Sequence, residues 1–154
     1  ESLWRSKPLG AFLTAMGGFP VERGSADRTA LRAAEDVLRL GEPLVMFPEG
    51  TRQEGDRLNR EQVLDGPSFV AARVGVPIVP VGIGGSARAL PLGAKFPRPR
   101  RVVAVIGNPI LPPEKVDGRV PRRAVKELTD RLYAELNDLY IEARVLAGAE
   151  PSPE

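Results

Sequence analysis

The sequence predicts an α/β fold, with a mainly parallel, mixed sheet flanked by helices. Short apolar runs alternate with stretches of helix formers, and that order calls for crossover connections between parallel strands. Gly and Pro contribute 16 residues each, well above average usage, so turns are frequent and elements short. With 42% hydrophobic and 27% charged residues in 154, the chain suits one domain with a real core.

The opening, Glu1 to Gly10, lacks the long apolar core of a signal peptide and does not begin with Met, so it is expected to continue a longer chain. Phe19 to Val21 starts a first strand, 19 to 23. Helix formers follow from 27 to 40, with Leu31, Ala34 and Leu38 on one face, Ser25 or Asp27 to cap the start and Gly41 to close the end. The continuous apolar run at 43 to 47 gives a second strand and completes a βαβ unit. A short helical stretch, 67 to 75, leads to a third strand at 77 to 83. The glycines of 82 to 85 have neither P-loop nor dinucleotide-fingerprint spacing and are read as a tight turn. A fourth strand is expected at 102 to 106. After Pro109, Pro112 and Pro113, a long amphipathic helix runs from 121 to 146, with Val125, Leu128, Leu132, Leu136 and Leu139 on one stripe. Residues 1 to 147 thus form the domain, and 148 to 154 a polar tail.

Composition removes several chemistries. There is no Cys and no His, so disulfides, thiolate nucleophiles and an imidazole base are all absent from these residues. The formal charge of +2 is too small to imply a nucleic-acid partner. An RNA-associated reading would need aromatic residues alternating with the basic ones, and none do. No apolar run approaches the ~18 residues of a membrane-spanning helix. The basic loops at 95 to 101 and 119 to 123 are either solvated or touch anionic headgroups. Trp4, Leu9, Phe12 and Leu13 form either an apolar lip at a membrane or the inner face of an opening helix.

Ligands of parallel sheets bind outside the carboxyl ends of the strands. There the sequence places Arg23 after the first strand and Glu49, Gly50, Thr51 and Arg52 after the second. Two guanidiniums beside a Gly backbone and a Thr hydroxyl suit a phosphate, since Arg offers planar bidentate donors. The same arginines could instead pair with surface acids such as Glu22 and Glu49.

"FPEGTR" at 47 to 52 resembles the Glu-Gly-Thr-Arg block of the glycerolipid acyltransferases, the group that contains 1-acyl-sn-glycerol-3-phosphate acyltransferase. "GGFPVERG" at 17 to 24 and "VPIVPV" at 76 to 81 resemble two further blocks of that family, in its order. The resemblance implies a glycerol-3-phosphate acyltransferase-like fold and transfer of a fatty acyl group from acyl-CoA or acyl-carrier protein to a lysophosphatidic-acid-like acceptor. It also implies that Arg23, Gly50, Thr51 and Arg52 bind the acceptor phosphate, that Glu49 positions the acceptor or braces the arginines, and that Pro77 and Pro80 shape the acyl side. No metal or cofactor is implied. The expected setting is the cytoplasmic side, peripheral at the inner face of the membrane. The family's upstream His-x-x-x-x-Asp block has no counterpart here, which leaves no catalytic residue to assign. Either that block lies upstream of these residues, or the chain is a noncatalytic phospholipid-binding relative. Asp65 also departs from the family, whose members often carry an aromatic residue and lysines before Gly66.

Overall fold

A computed structural model of the chain describes residues 7, 11, 14–15, 18, 28–50, 55–94 and 96–149. It divides into two compact units, Glu1–Val45 and Met46–Glu154.

In the first unit, helix α1 (Arg28–Arg39) matches the expected span closely. Ala34 is buried and Leu31 and Leu38 half-buried, as their spacing requires. Glu35 is buried too, and Arg39 Nη2 reaches its carboxylate at 2.9 Å from one turn on. The helix stops at Gly41, whose φ of +79° is the left-handed conformation that few other residues tolerate. Gly41 N–H donates to Leu38 O (3.1 Å) and Glu42 N–H to Val37 O (3.3 Å), the paired bonds of a Schellman ending.

The expected strand at 19 to 23 lies outside the described residues. The expected strand at 43 to 47 is not found: the segment pairs with no described strand, and Val45 (81%) and Phe47 (68%) are exposed. A continuous apolar run has strand propensity, but a strand exists only where a neighbour completes its hydrogen bonds.

In the second unit, a turn at Pro48–Gly50 leads through a 3₁₀ turn, Arg60–Gln62, to helix α2 (Gly66–Val74). Strands β1 (Val81–Gly84) and β2 (Val103–Ile106) then pair antiparallel, Val81 opposite Ile106 and Gly84 opposite Val103. The parallel order expected from sequence is therefore not what the described strands adopt. Between them lies only a four-residue helix, α3 (Ser86–Ala89), followed by Pro91, Pro97 and Pro99. Prolines cannot extend α3 into a crossover helix, so the chain returns beside β1 as a wide hairpin. Past the strands, Ile78 and Ile110 exchange backbone bonds of 2.9 and 2.7 Å. That pairing is one residue out of step with Val81–Ile106, which places a bulge between Gly107 and Pro109.

Helix α4 (Arg122–Leu146), 25 residues long, covers one face of this hairpin. Its buried stripe of Leu128, Leu132 and Leu136 joins Ala72 and Ile110 in the core, with Leu58, Ile78 and Val120 packed against it. Gly82 and Gly84, expected in a turn, lie in β1 beneath α4. A Cβ at either would fall 2.3 or 2.2 Å from the backbone of Leu139 or Ala143, so helix and strand meet backbone to backbone. The opposite face of the hairpin exposes Val81, Ile83 and Ile106.

Candidate functional site

The Glu49–Gly50 turn follows from its sequence. Pro48 cannot donate to a ladder, and Gly50, at φ +61°, reverses the chain so that its N–H bonds Phe47 O at 3.1 Å. Leu64 N–H then donates to Pro48 O at 2.9 Å. A Cβ added to Gly50 would meet Leu64 Cδ1 at 3.5 Å, so Leu64 backs the turn. Glu49 is half-buried and Gly50 exposed. Arg23, Thr51 and Arg52, the other predicted binding residues, lie outside the described residues. Of the two prolines assigned to the acyl side, Pro80 is fully buried and Pro77 exposed. Pro80 O accepts from Gly107 N–H at 2.9 Å, which makes it part of the hairpin.

Downstream of the motif, residues 55–60 are fastened to α4. Arg60 bonds the Asp130 carboxylate, Tyr133 Oη reaches Leu58 O at 3.3 Å, and Asn137 Oδ1 accepts from Leu58 N–H at 3.2 Å. Further along, Tyr140 Oη donates to Gly55 O at 3.0 Å and Arg144 Nη1 to Asp56 O at 2.8 Å. The five α4 residues recur at spacings of three and four, so they form one stripe, beside the apolar stripe that faces the core. The sequence reading missed this second stripe. Its signal was present in the same periodicity, written in Asp, Tyr, Asn, Tyr and Arg instead of leucines. The Arg60 guanidinium, hydrogen-bonded to Asp130, holds that carboxyl below its usual value, and the charges of Arg60 and Lys126 act in the same direction.

Beside the turn opens a cleft of about 600 Å³ lined by Arg60, Val63, Leu64, Asp65, Arg122, Arg123 and Lys126. Leu64 therefore connects the cleft wall to the Pro48–Gly50 turn. Four cations face one carboxylate there, although Arg60 is tied to Asp130 and Arg123 Nε to Glu127 at 2.8 Å. Arg122 has no carboxylate partner among the described residues. The lining suits an anionic group carrying an apolar portion. Among the described residues no cluster of acids could hold a metal ion.

Comparison with known proteins agrees with the motif. The chain is similar to two chloroplastic 1-acyl-sn-glycerol-3-phosphate acyltransferases. That of Brassica napus is 29% identical over 89 residues, covering 56% of this chain and 25% of the relative. That of Arabidopsis thaliana is 30% identical over 89 residues, covering 56% and 24%. A 1-acyl-sn-glycerol-3-phosphate acyltransferase of Chlamydomonas reinhardtii is 35% identical over 107 residues, covering 69% of this chain and 31% of the relative. The chain thus spans about a quarter to a third of the length of these relatives. No solved structure matches it. The acyltransferase family model matches residues 1–84, which is more than half of the 154 and includes both the Arg23 block and the Glu-Gly-Thr-Arg block, so the chain belongs to the acyltransferase family.

Proposed function

We propose that the chain is part of an enzyme that moves a fatty acyl group from an acyl-CoA or acyl-carrier-protein thioester to the free hydroxyl of a lysophosphatidic acid or close analogue. The acceptor is taken from the inner face of a membrane, with the protein peripheral on the cytoplasmic side. The glycerol-3-phosphate acyltransferase-like fold belongs to the same reading. The observation that carries it is the Glu49-Gly50-Thr51-Arg52 sequence, which begins on the Pro48–Gly50 turn inside the family-matched segment. Arg23 and Arg52 hold the acceptor's phosphate through charge-assisted bonds, Gly50 and Thr51 add N–H and hydroxyl donors, and Glu49 braces the guanidiniums. In the reaction the acceptor oxygen attacks the thioester carbon, the C–O bond forms as the C–S bond breaks, and the hydroxyl proton ends on the released thiol. Residues 1–154 hold no His, so an imidazole base for that proton has to come from outside them.

The test is thiol release from each donor with a lysophosphatidic acid, measured for the complete protein and for Arg23→Ala and Arg52→Ala. Each charge-assisted contact contributes about 1.5–3 kcal/mol, so kcat/KM for the acceptor should fall roughly tenfold or more, with little change in donor dependence. Lys at either position should restore only part, since it keeps the charge and loses the fork. Near-normal acceptor kinetics in both folded Ala variants overturns the clamp. The absence of His favours a second reading, a noncatalytic phospholipid-binding relative. That reading gains if the complete protein binds lysophosphatidic acid and releases no thiol.

A further inference from the structure

From Gly66 to Pro113 the chain carries six cations (Arg73, Arg88, Lys95, Arg98, Arg100 and Arg101) and no Asp or Glu. With a formal charge of only +2 overall, the remaining residues are net negative, and the positive charge is concentrated in and around the hairpin. Half of it falls within four residues. Arg98, Arg100 and Arg101 are exposed, and none pairs with a carboxylate among the described residues. Pro97 and Pro99 fix φ at their own positions and remove two N–H donors, and residues 97–101 pair with no described strand.

The loop leading into it is closed at its base. Arg98 N–H donates to Ala89 O at 2.7 Å, and Ala94 N–H to Pro91 O at 3.0 Å forms the turn inside. Arg88 ties the adjoining helix α3 to the end of α4, its Nη1 donating to Gly148 O at 3.0 Å and its Nη2 to Ala147 O. On this anchored base the loop presents apolar side chains to solvent: Phe96 is 80% exposed and Leu92 54%. With Leu90, also exposed, these side chains put three large apolar groups on one loop beside the arginines, a combination that suits an amphipathic lipid surface.

We propose that the loop from Leu90 to Arg101 docks the protein on an anionic lipid surface, Phe96 and Leu92 entering the headgroup–acyl boundary while Arg98, Arg100 and Arg101 meet lipid phosphates. Charge complementarity selects this occupant, since three exposed cations in a segment with no Asp or Glu match a sheet of anionic headgroups. The apolar tip selects a bilayer over a hydrophilic polyanion, which would leave Phe96 in water. The loop contributes nothing to the lining of the cleft beside Gly50. The proposal takes only its setting, a membrane, from the functional reading above.

The experiment is co-sedimentation of the 154-residue chain with vesicles of phosphatidylcholine alone and of phosphatidylcholine with phosphatidylglycerol. Binding should require the anionic lipid and weaken with salt. A cation near such a surface is worth roughly a fivefold gain in partitioning, so the triple variant Arg98→Gln, Arg100→Gln, Arg101→Gln should bind on the order of a hundredfold more weakly. A charge-matched control on exposed residues elsewhere, Arg28→Gln, Arg32→Gln, Arg131→Gln, should lose much less. In Phe96→Trp, emission should shift to the blue on anionic vesicles, against the unmodified chain whose single tryptophan is Trp4. Equal loss in the two triple variants, binding to neutral vesicles alone, or an unshifted Phe96→Trp spectrum overturns the proposal. So does loss of binding to an acidic carrier protein with vesicle binding intact, which would assign the loop to a protein partner. No lysophosphatidic acid or thioester is used, so loop-dependent docking in a protein that transfers no acyl group leaves this proposal standing and removes only the functional one.

Discussion

Ser68 is fully buried near the start of α2, and its Oγ has no hydrogen-bond partner among the described residues. A buried hydroxyl left unpaired costs about 1–3 kcal/mol, while a methyl in the same space costs nothing of the kind. Ser68→Ala should therefore raise stability by about 1 kcal/mol, read as a higher urea midpoint at unchanged slope. A lower midpoint would mean that the hydroxyl has a partner after all. How far individual residues announced themselves differs for a physical reason. The Glu49–Gly50 turn could be read directly, because a proline followed by a glycine dictates local geometry. The unpaired state of Ser68 could not, because it depends on what α2 packs against. The glycines of β1 were misplaced for the same reason: glycine signals turns in a chain without partners, and here the partner is the backbone of α4.

Helix α4 carries two stripes, and each makes a prediction. Under the apolar stripe, a methyl at Gly84 has only 2.2 Å to the Ala143 backbone. Neither backbone can yield as a flexible side chain would, so Gly84→Ala should cost about 3 kcal/mol, at the upper end of overpacking effects. Thermal melts of this variant beside wild type measure it. On the polar stripe, the depressed carboxyl of Asp130 links the Arg60 tie to pH. A carboxylate whose folded value is lowered contributes stability above its unfolded value and loses it as pH falls through the folded one. Wild type should exceed Asp130→Asn in stability at neutral pH, and the difference should close in acid. A difference that persists there would assign the effect to shape, not charge. Helices α1 and α4 could be placed from sequence to within about a residue because their periodicity is local. The direction of β1 against β2 could not, since pairing joins residues far apart in the chain and the apolar runs look alike in either orientation.

At the level of the chain, residues 1–154 should release no thiol from acyl-CoA in the presence of lysophosphatidic acid, since general-base catalysis supplies typically 10²–10⁴-fold and no His is present. Turnover equal to that of an intact relative would show that another group takes the proton. The fastening of the motif loop to α4 has a further consequence, for synthesis. Gly55 leaves the ribosome 85 residues ahead of Tyr140, and at 5–20 residues per second that is a wait of roughly 4–17 s. Throughout this interval Gly55 to Arg60 exist without the helix that holds them. A message cut short before Asp130 would still encode the entire family-matched segment, 1–84, yet its product would carry the motif on an untethered strap, open to proteases and chaperones.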